Sequence, residues 1–520
     1  MSGRIDGDLA VALFSLLARA RPGSPAALLD SSDHAGSPAP ERSRYSILAF
    51  SGGPLREVVS HSRGLTTSRT AAGEQTHEGP FFAWLRENWE VSPDAGDGKG
   101  NEPFQLGWVG WLGYELKREL GSPDGAASAP REHHPAVPQT DAQLFRATHA
   151  VVIDHRDGSF RTQSLEPDPA WKDEVCAGVS TLMEGKDRLI GAETPAQTPT
   201  RLKTLQVRES RESYLQKIRA AQEEIRRGTT YEVCLTTAVT AELDVQDGDD
   251  SPSFPGLALF DRLRERNRAP FTQYLRLPGP LGPGAGEEAA GAQEGGAGVE
   301  ILSTSPERYL SITPETPSPG ASGLRLCSEP IKGTRPRGRT PQEDAELAHE
   351  LRTHPKDRAE NVMITDLVRN DLSVHAAPGT LRTERLCAVE SYPTVHQMVS
   401  TVSAGLAAGT HPAEAVAAAF PPGSMTGAPK ISTMNILEEL ETGPRGAYSG
   451  VAGYLSRSGA ADLSVLIRTA VLTGDGARRR LHLGLGGAIT ADSDPEAEWE
   501  EVRTKSAGVL GALGAEFPER

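Results

Sequence analysis

The chain has 520 residues, with 54 basic against 70 acidic side chains and a formal net charge of −16. No basic block stands out, which argues against nucleic-acid binding, and no apolar run approaches the about 18 residues of a membrane span. The N-terminus lacks a basic stretch followed by an apolar one, so no signal peptide is expected, and the four scattered cysteines, Cys176, Cys234, Cys327 and Cys387, read as free thiols of a reducing, cytoplasmic compartment.

Residues 1–190 form an N-terminal region. Leu28 to Ser32 and Arg44 to Phe50 are strand-like, and Gly107 to Tyr114 mixes aromatics with glycines, as in a strand that other backbones approach closely. The stretches 91–103 and 121–139 read as exposed loops. The weakly periodic stretch 185–205 marks a boundary before a second region, 205–515. There Ser210 caps a helix whose face carries Leu215, Ile218, Ala221 and Ile225, and Gly228 ends it. A strand follows at Tyr231 to Thr236, and 278–298 is a low-complexity, disordered insertion. Many short strands and few helices predict an α+β fold with antiparallel sheets. No GxGxxG follows a strand as a dinucleotide fold requires.

Five stretches carry candidate chemistry. In Ser328-Glu329-Pro330-Ile331-Lys332-Gly333-Thr334, a strand delivers a turn-prone loop holding Lys332, which is either a solvated lysine or a nucleophile whose pKa burial lowers. Ser305-Pro306-Glu307-Arg308 bends a strand and presents Glu307, a general acid or base or one half of a surface ion pair. The helix from Pro355 buries a stripe of Val362, Met363, Leu367 and Val368, with Ile364 at its edge, and sets Asp357 and Glu360 on one face. A helix capped by Asp494 aligns Glu498, Glu501 and Lys505, as a carboxylate site for Mg²⁺ and an acid or as an ordinary charged surface. Leu483 to Thr490 contributes Gly486 and Gly487, an anion-binding loop or a bend in a strand. Phe420 to Lys430 opens another helix, but its glycine spacing is wrong for a P-loop. His396 and Tyr448 lie in strand-like segments. Arg468, flanked by Ile467 and Thr469, wants an anion, most naturally a carboxylate.

In this order the motifs resemble those of the chorismate-utilising enzymes, most strongly over 205–515, and within that family the large, aminating subunits of aminodeoxychorismate synthases. Lysine within Pro330-Ile331-Lys332-Gly333-Thr334 is typical of that group, whereas the anthranilate-forming relatives usually carry alanine there. The resemblance implies two large antiparallel sheets packed face to face with helices around them. It implies Glu360 and Glu501 as Mg²⁺ ligands with Glu498 and Asp357 close by, and Gly486, Gly487, Tyr448 and Arg468 around a chorismate carboxylate. Thr426, His396 and Lys505 would line the same pocket, Glu307 would be the acid or base for the ring hydroxyl, and Lys332 the nucleophile. Relatives often carry a tryptophan pocket near the position of Leu28 to Ser32. No Gly-x-Cys-x-Gly loop surrounds a cysteine, so ammonia would come from a separate glutamine amidotransferase subunit.

Overall fold

Side-chain alternation along three adjacent strands divides the core. In Ala26–Asp30, Tyr45–Phe50 and His149–Asp154, the residues Ala27, Ile47, Ala49 and Val152 join one apolar cluster, and Ala26, Leu28, Leu48, Phe50, Val151 and Ile153 another. A two-residue period puts successive side chains on opposite faces, and both faces are covered. The computed structural model describes residues 7–31, 34–92, 103–122, 134, 136–189, 201–244, 255–279, 298–474 and 479–518. Among these, such strands form two antiparallel sheets of 11 and 12 strands. The first cluster includes Val109, Trp111, Phe145, Ala452 and Tyr454 of the second sheet, so the sheets pack face to face. Helices Gly7–Arg19, Arg211–Arg226, Pro255–Arg266 and Pro495–Ala512 cover the outer face of the first sheet. Helices Phe81–Asn88, Pro355–Ser373 and Pro412–Ala419 cover that of the second. The expected α+β architecture is present.

Strands from 1–190 and from 205–515 share both sheets. Ala26–Asp30 pairs with Phe271–Leu277 in the first, and Gly107–Leu112 with Val451–Ser456 in the second. The loops at 91–103 and 121–139, the boundary at 185–205 and the insertion at 278–298 fall largely outside the described residues. The helix after Ser210 begins as the sequence indicates, with the Ser210 hydroxyl accepting from the Ser213 N–H. The buried stripe of Pro355–Ser373 is rotated from its expected position. Val362 is 44% exposed, while Asn361, Ile364, Thr365, Val368 and Leu372 are buried. Hydrogen bonds let polar groups onto the inner face: Asn361 Nδ2 donates to the Met398 carbonyl, and Thr365 Oγ1 to the Asn361 carbonyl. Among the described residues no helix is long and apolar enough to cross a membrane.

Candidate active site

Two crossings of the chain between the sheets build the site. Val299–Ser305 lies in the first sheet and Arg308–Pro314 in the second, with Pro306 and Glu307 between them. Ala461–Val465 lies in the second sheet and Thr469–Thr473 in the first, and Arg468 stands just before the latter at φ 50°. The crossings are tied together: the Val465 N–H donates to the Glu307 carbonyl (3.0 Å) and the Thr304 N–H to that of Arg468 (3.2 Å). Glu307 and Arg468 therefore share one corner of the sandwich. Glu307 is buried. Burial pushes its carboxyl up to about 7, against the pull of the Ser424 hydroxyl and the Lys332 ammonium.

Lys332 lies in a strand, Ile331–Pro336, and not in a loop. That strand pairs with Val395–Ala407, and its register slips between Ile331 and Thr334, so Lys332 and Gly333 form a bulge that re-aims the lysine. Gly333 has φ 88°, and a Cβ there would stand 2.9 Å from Leu351 Cδ1 and 3.0 Å from Asp357 Cβ, so only glycine fits. Lys332 Nζ donates to Glu232 Oε1 at 2.6 Å, the glutamate side chain fully buried and the lysine side chain nearly so. The lowered pKa expected for Lys332 is not found. Burial does pull it down, but the Glu232 carboxylate, followed by Glu360, holds it well above the ordinary lysine value. The resting lysine is an ammonium.

Around this pair stands an alternation of carboxylates and lysines. Lys356 Nζ lies 3.2 Å from Glu498 Oε1 and 3.8 Å from Glu360 Oε1, joining the helices Pro355–Ser373 and Pro495–Ala512. Ser493 Oγ donates to Glu498. Lys505 lies 2.7 Å from Glu501 and donates to the Gly486 carbonyl at 3.0 Å. Burial pushes Glu360 up to about 7, although Lys332 and Lys356 pull the other way. Among the described residues no three His, Cys, Asp or Glu side chains stand together as a metal cage. Mg²⁺ needs none, since it takes one or two carboxylates and fills its shell with water and substrate oxygens. The carboxylates of Glu360 and Glu498, both buried, with Glu501 one turn beyond Glu498, are of the oxygen-donor type that suits such an ion.

The Arg468 guanidinium makes no hydrogen bond or ion pair among the described residues. Burial alone pulls its guanidinium below the usual arginine value, with no carboxylate to counter it. Gly486 and Gly487 lie within the strand Arg480–Ile489, paired with Thr236 and Leu235, and do not form a loop. Gly484 in the same strand lies against Tyr448: a Cβ there would stand 2.0 Å from Tyr448 Cγ. Thr426 is buried and turned into its own turn, its hydroxyl donating to the Gly423 carbonyl (3.0 Å) while its carbonyl accepts from the Cys234 N–H (2.9 Å). His396 does not meet Lys332. Its Nδ1 pairs with Ser391 Oγ (2.8 Å) and its Nε2 with Asp344 Oδ1 (3.0 Å), so both nitrogens brace the turn that Arg337 and the Gly338 N–H also fasten to Asp344.

Three further groups complete the site. Glu232 and Lys356 are the partners just described. Arg445, fully buried, donates to Glu441, to the Met425 and Cys234 carbonyls and to Ser449, fixing the segment that carries Tyr448. A glutamate opening the apolar strand Val233-Cys234-Leu235 signals a buried acid that needs a cation, but nothing local says which cation.

A buried lysine held by a glutamate, an uncompensated arginine and facing carboxylate helices on a two-sheet α+β frame define an enzyme site for a small anionic substrate. The chain belongs to the family of chorismate binding enzymes, whose model matches residues 46–511. It is 41% identical over 502 residues to aminodeoxychorismate synthase of Streptomyces griseus, covering 95% of this chain and 61% of that one. It is 32% identical over 485 residues to aminodeoxychorismate synthase component 1 of Salmonella typhimurium, covering 92% of each. The chain thus spans about three fifths of the Streptomyces relative's length. The crystal structure of anthranilate synthase component I from Streptococcus pneumoniae shares the fold, with a TM-score of 0.65, 22% identity and coverage of 90% of this chain and 92% of that one.

Proposed function

We propose that this chain aminates chorismate at C4, giving 4-amino-4-deoxychorismate as the large subunit of an aminodeoxychorismate synthase. Its ammonia comes from a separate glutamine amidotransferase subunit, and the product leads in the cytoplasm to p-aminobenzoate for folate or a related secondary metabolite. The observation that carries the reading is Lys332, a buried lysine aimed by a bulge into a site where Glu307 is kept partly protonated at neutral pH. The relatives named above as aminodeoxychorismate synthases support it.

Arg468 offers a two-pronged fork for one substrate carboxylate, with the Gly486–Gly487 strand beside it. Glu360 and Glu501, with Glu498 alongside, would hold Mg²⁺, which when bound offsets the charge of the other carboxylate. Lys332, once neutral, attacks ring C2, and the C4–oxygen bond breaks. The Glu307 carboxyl gives its proton to the departing oxygen, releasing water. Ammonia then adds at C4 and the lysine leaves C2.

The test is a product assay with chorismate, ammonium and Mg²⁺, together with intact-protein mass spectrometry without ammonia. Aminodeoxychorismate as product and a chorismate-minus-water adduct absent from Lys332→Ala are expected. Anthranilate as product, or wild-type rates in Lys332→Ala, would overturn the reading.

A further inference from the structure

Resting on the reading of Lys332 as a nucleophile, we infer that Glu232 is its general base: the carboxylate that holds the ammonium in the resting enzyme and takes its proton before attack. An amine attacks only when neutral, and the proton of Lys332 needs somewhere to go. Nζ is bonded to Glu232 Oε1 at 2.6 Å, and the glutamate side chain is wholly excluded from solvent. Glu232 Oε2 is buried and accepts from no group among the described residues. One oxygen thus holds the ammonium, and the other is free of competing donors.

The other acids near the lysine are less suited. Glu307 must keep its own proton for the departing hydroxyl. Glu360 lies beside Lys356, one turn away on its own helix. Glu232 is held rigidly, because its strand pairs on both sides, Glu232 opposite Ala428 and Val233 opposite Ile489.

The trigger is desolvation. An ion pair is favoured over the neutral pair only while polar surroundings support both charges. The Lys332 side chain retains 11% of its exposure. A substrate ring seated over it removes that water and shifts the pair toward amine and carboxylic acid. The balance is Lys332–NH₃⁺ plus Glu232–COO⁻ going to Lys332–NH₂ plus Glu232–COOH. The amine's lone pair forms the N–C2 bond, the ring π electrons shift, and the C4–O pair leaves with the Glu307 proton as water. When ammonia forms the N–C4 bond, the N–C2 pair returns to Lys332, which takes its proton back from Glu232. The new C4 ammonium gives one proton to Glu307, restoring both acids.

The experiment compares wild type, Glu232→Gln and Glu232→Asp. Adduct formation from chorismate and Mg²⁺ without ammonia is followed by intact mass from pH 6.5 to 9.5. Glutamine can still accept the lysine's hydrogen bond but cannot take its proton. Glu232→Gln is expected to form adduct about 100-fold more slowly at pH 7.5, within the usual worth of a general base. The ratio of its rate to the wild-type rate should climb with pH as solvent removes the lysine's proton, since loss of the Glu307 proton above about 7 slows both alike. Glu232→Asp should recover to within about tenfold of wild type, with KM for chorismate within about threefold in all three. A wild-type adduct matched in rate and pH dependence by Glu232→Gln would overturn the role of Glu232 alone. Absence of any wild-type adduct would overturn the nucleophile reading and this one with it. A Glu232→Gln slower than wild type by the same factor at every pH, and not rescued by Asp, would reduce Glu232 to a structural anchor.

Discussion

Glu307 makes the fold's stability depend on pH in a direction opposite to most carboxylates. Its folded carboxyl titrates at about 7, against an ordinary value of 4.5. Between those values the folded state holds a proton that the unfolded chain has lost, so stability falls as pH rises through this window. The difference corresponds to about 3 kcal/mol at pH 8, present above 7 and absent below 4.5. Glu307→Gln, nearly isosteric and never charged, removes that penalty. Urea denaturation of wild type and variant should give equal stabilities at pH 4.5 and a variant more stable by about 2–3 kcal/mol at pH 8. The same substitution should lower amination at least about 100-fold, because the departing hydroxyl loses its acid. A stability gap that does not change with pH would refute the buried, protonated carboxyl, whatever the activity.

Arg468→Lys should weaken use of chorismate by about tenfold or more, since an ammonium cannot reproduce the guanidinium fork; unchanged KM and kcat would place Arg468 outside the pocket. EDTA should abolish turnover and Mg²⁺ restore it, and Glu501→Gln or Glu360→Gln should raise the Mg²⁺ concentration needed for half-maximal rate; full turnover in EDTA would remove the metal from the reaction. The purified chain should use ammonium salts and not glutamine, with glutamate release as the readout for any hidden glutaminase.

What the sequence made legible follows from what repeats along a chain. Glu498, Glu501 and Lys505 share a helix face because 3.6 residues per turn leaves no other arrangement, and the structure keeps Glu501 and Lys505 paired. The antiparallel α+β class was legible in the same way. Partnerships across the fold were not. Glu232 and Lys332 are 100 residues apart, and only the bulge at Gly333, read from the register slip, aims one at the other. His396 was misplaced for the reverse reason. A polar side chain in an apolar strand has two faces open to it, and Asp344, 52 residues away, claims this one. The stripe of Pro355–Ser373 was misread because hydrogen bonds made Asn361 and Thr365 acceptable inside, which hydropathy alone does not register.

Shared sheets also set a schedule for synthesis. Trp89 donates its indole N–H to the Ser456 carbonyl, 367 residues on, and Arg42 reaches Glu390, 348 residues on. At the roughly 5–20 residues per second of translation, an early strand waits on the order of 20–70 s for its neighbour to leave the ribosome. Through that interval Gly107–Leu112, with a tryptophan on each face and an open edge, is a template for any other strand. Yield in a foreign host should therefore be governed by chaperone capacity and elongation rate more than by the finished protein's stability.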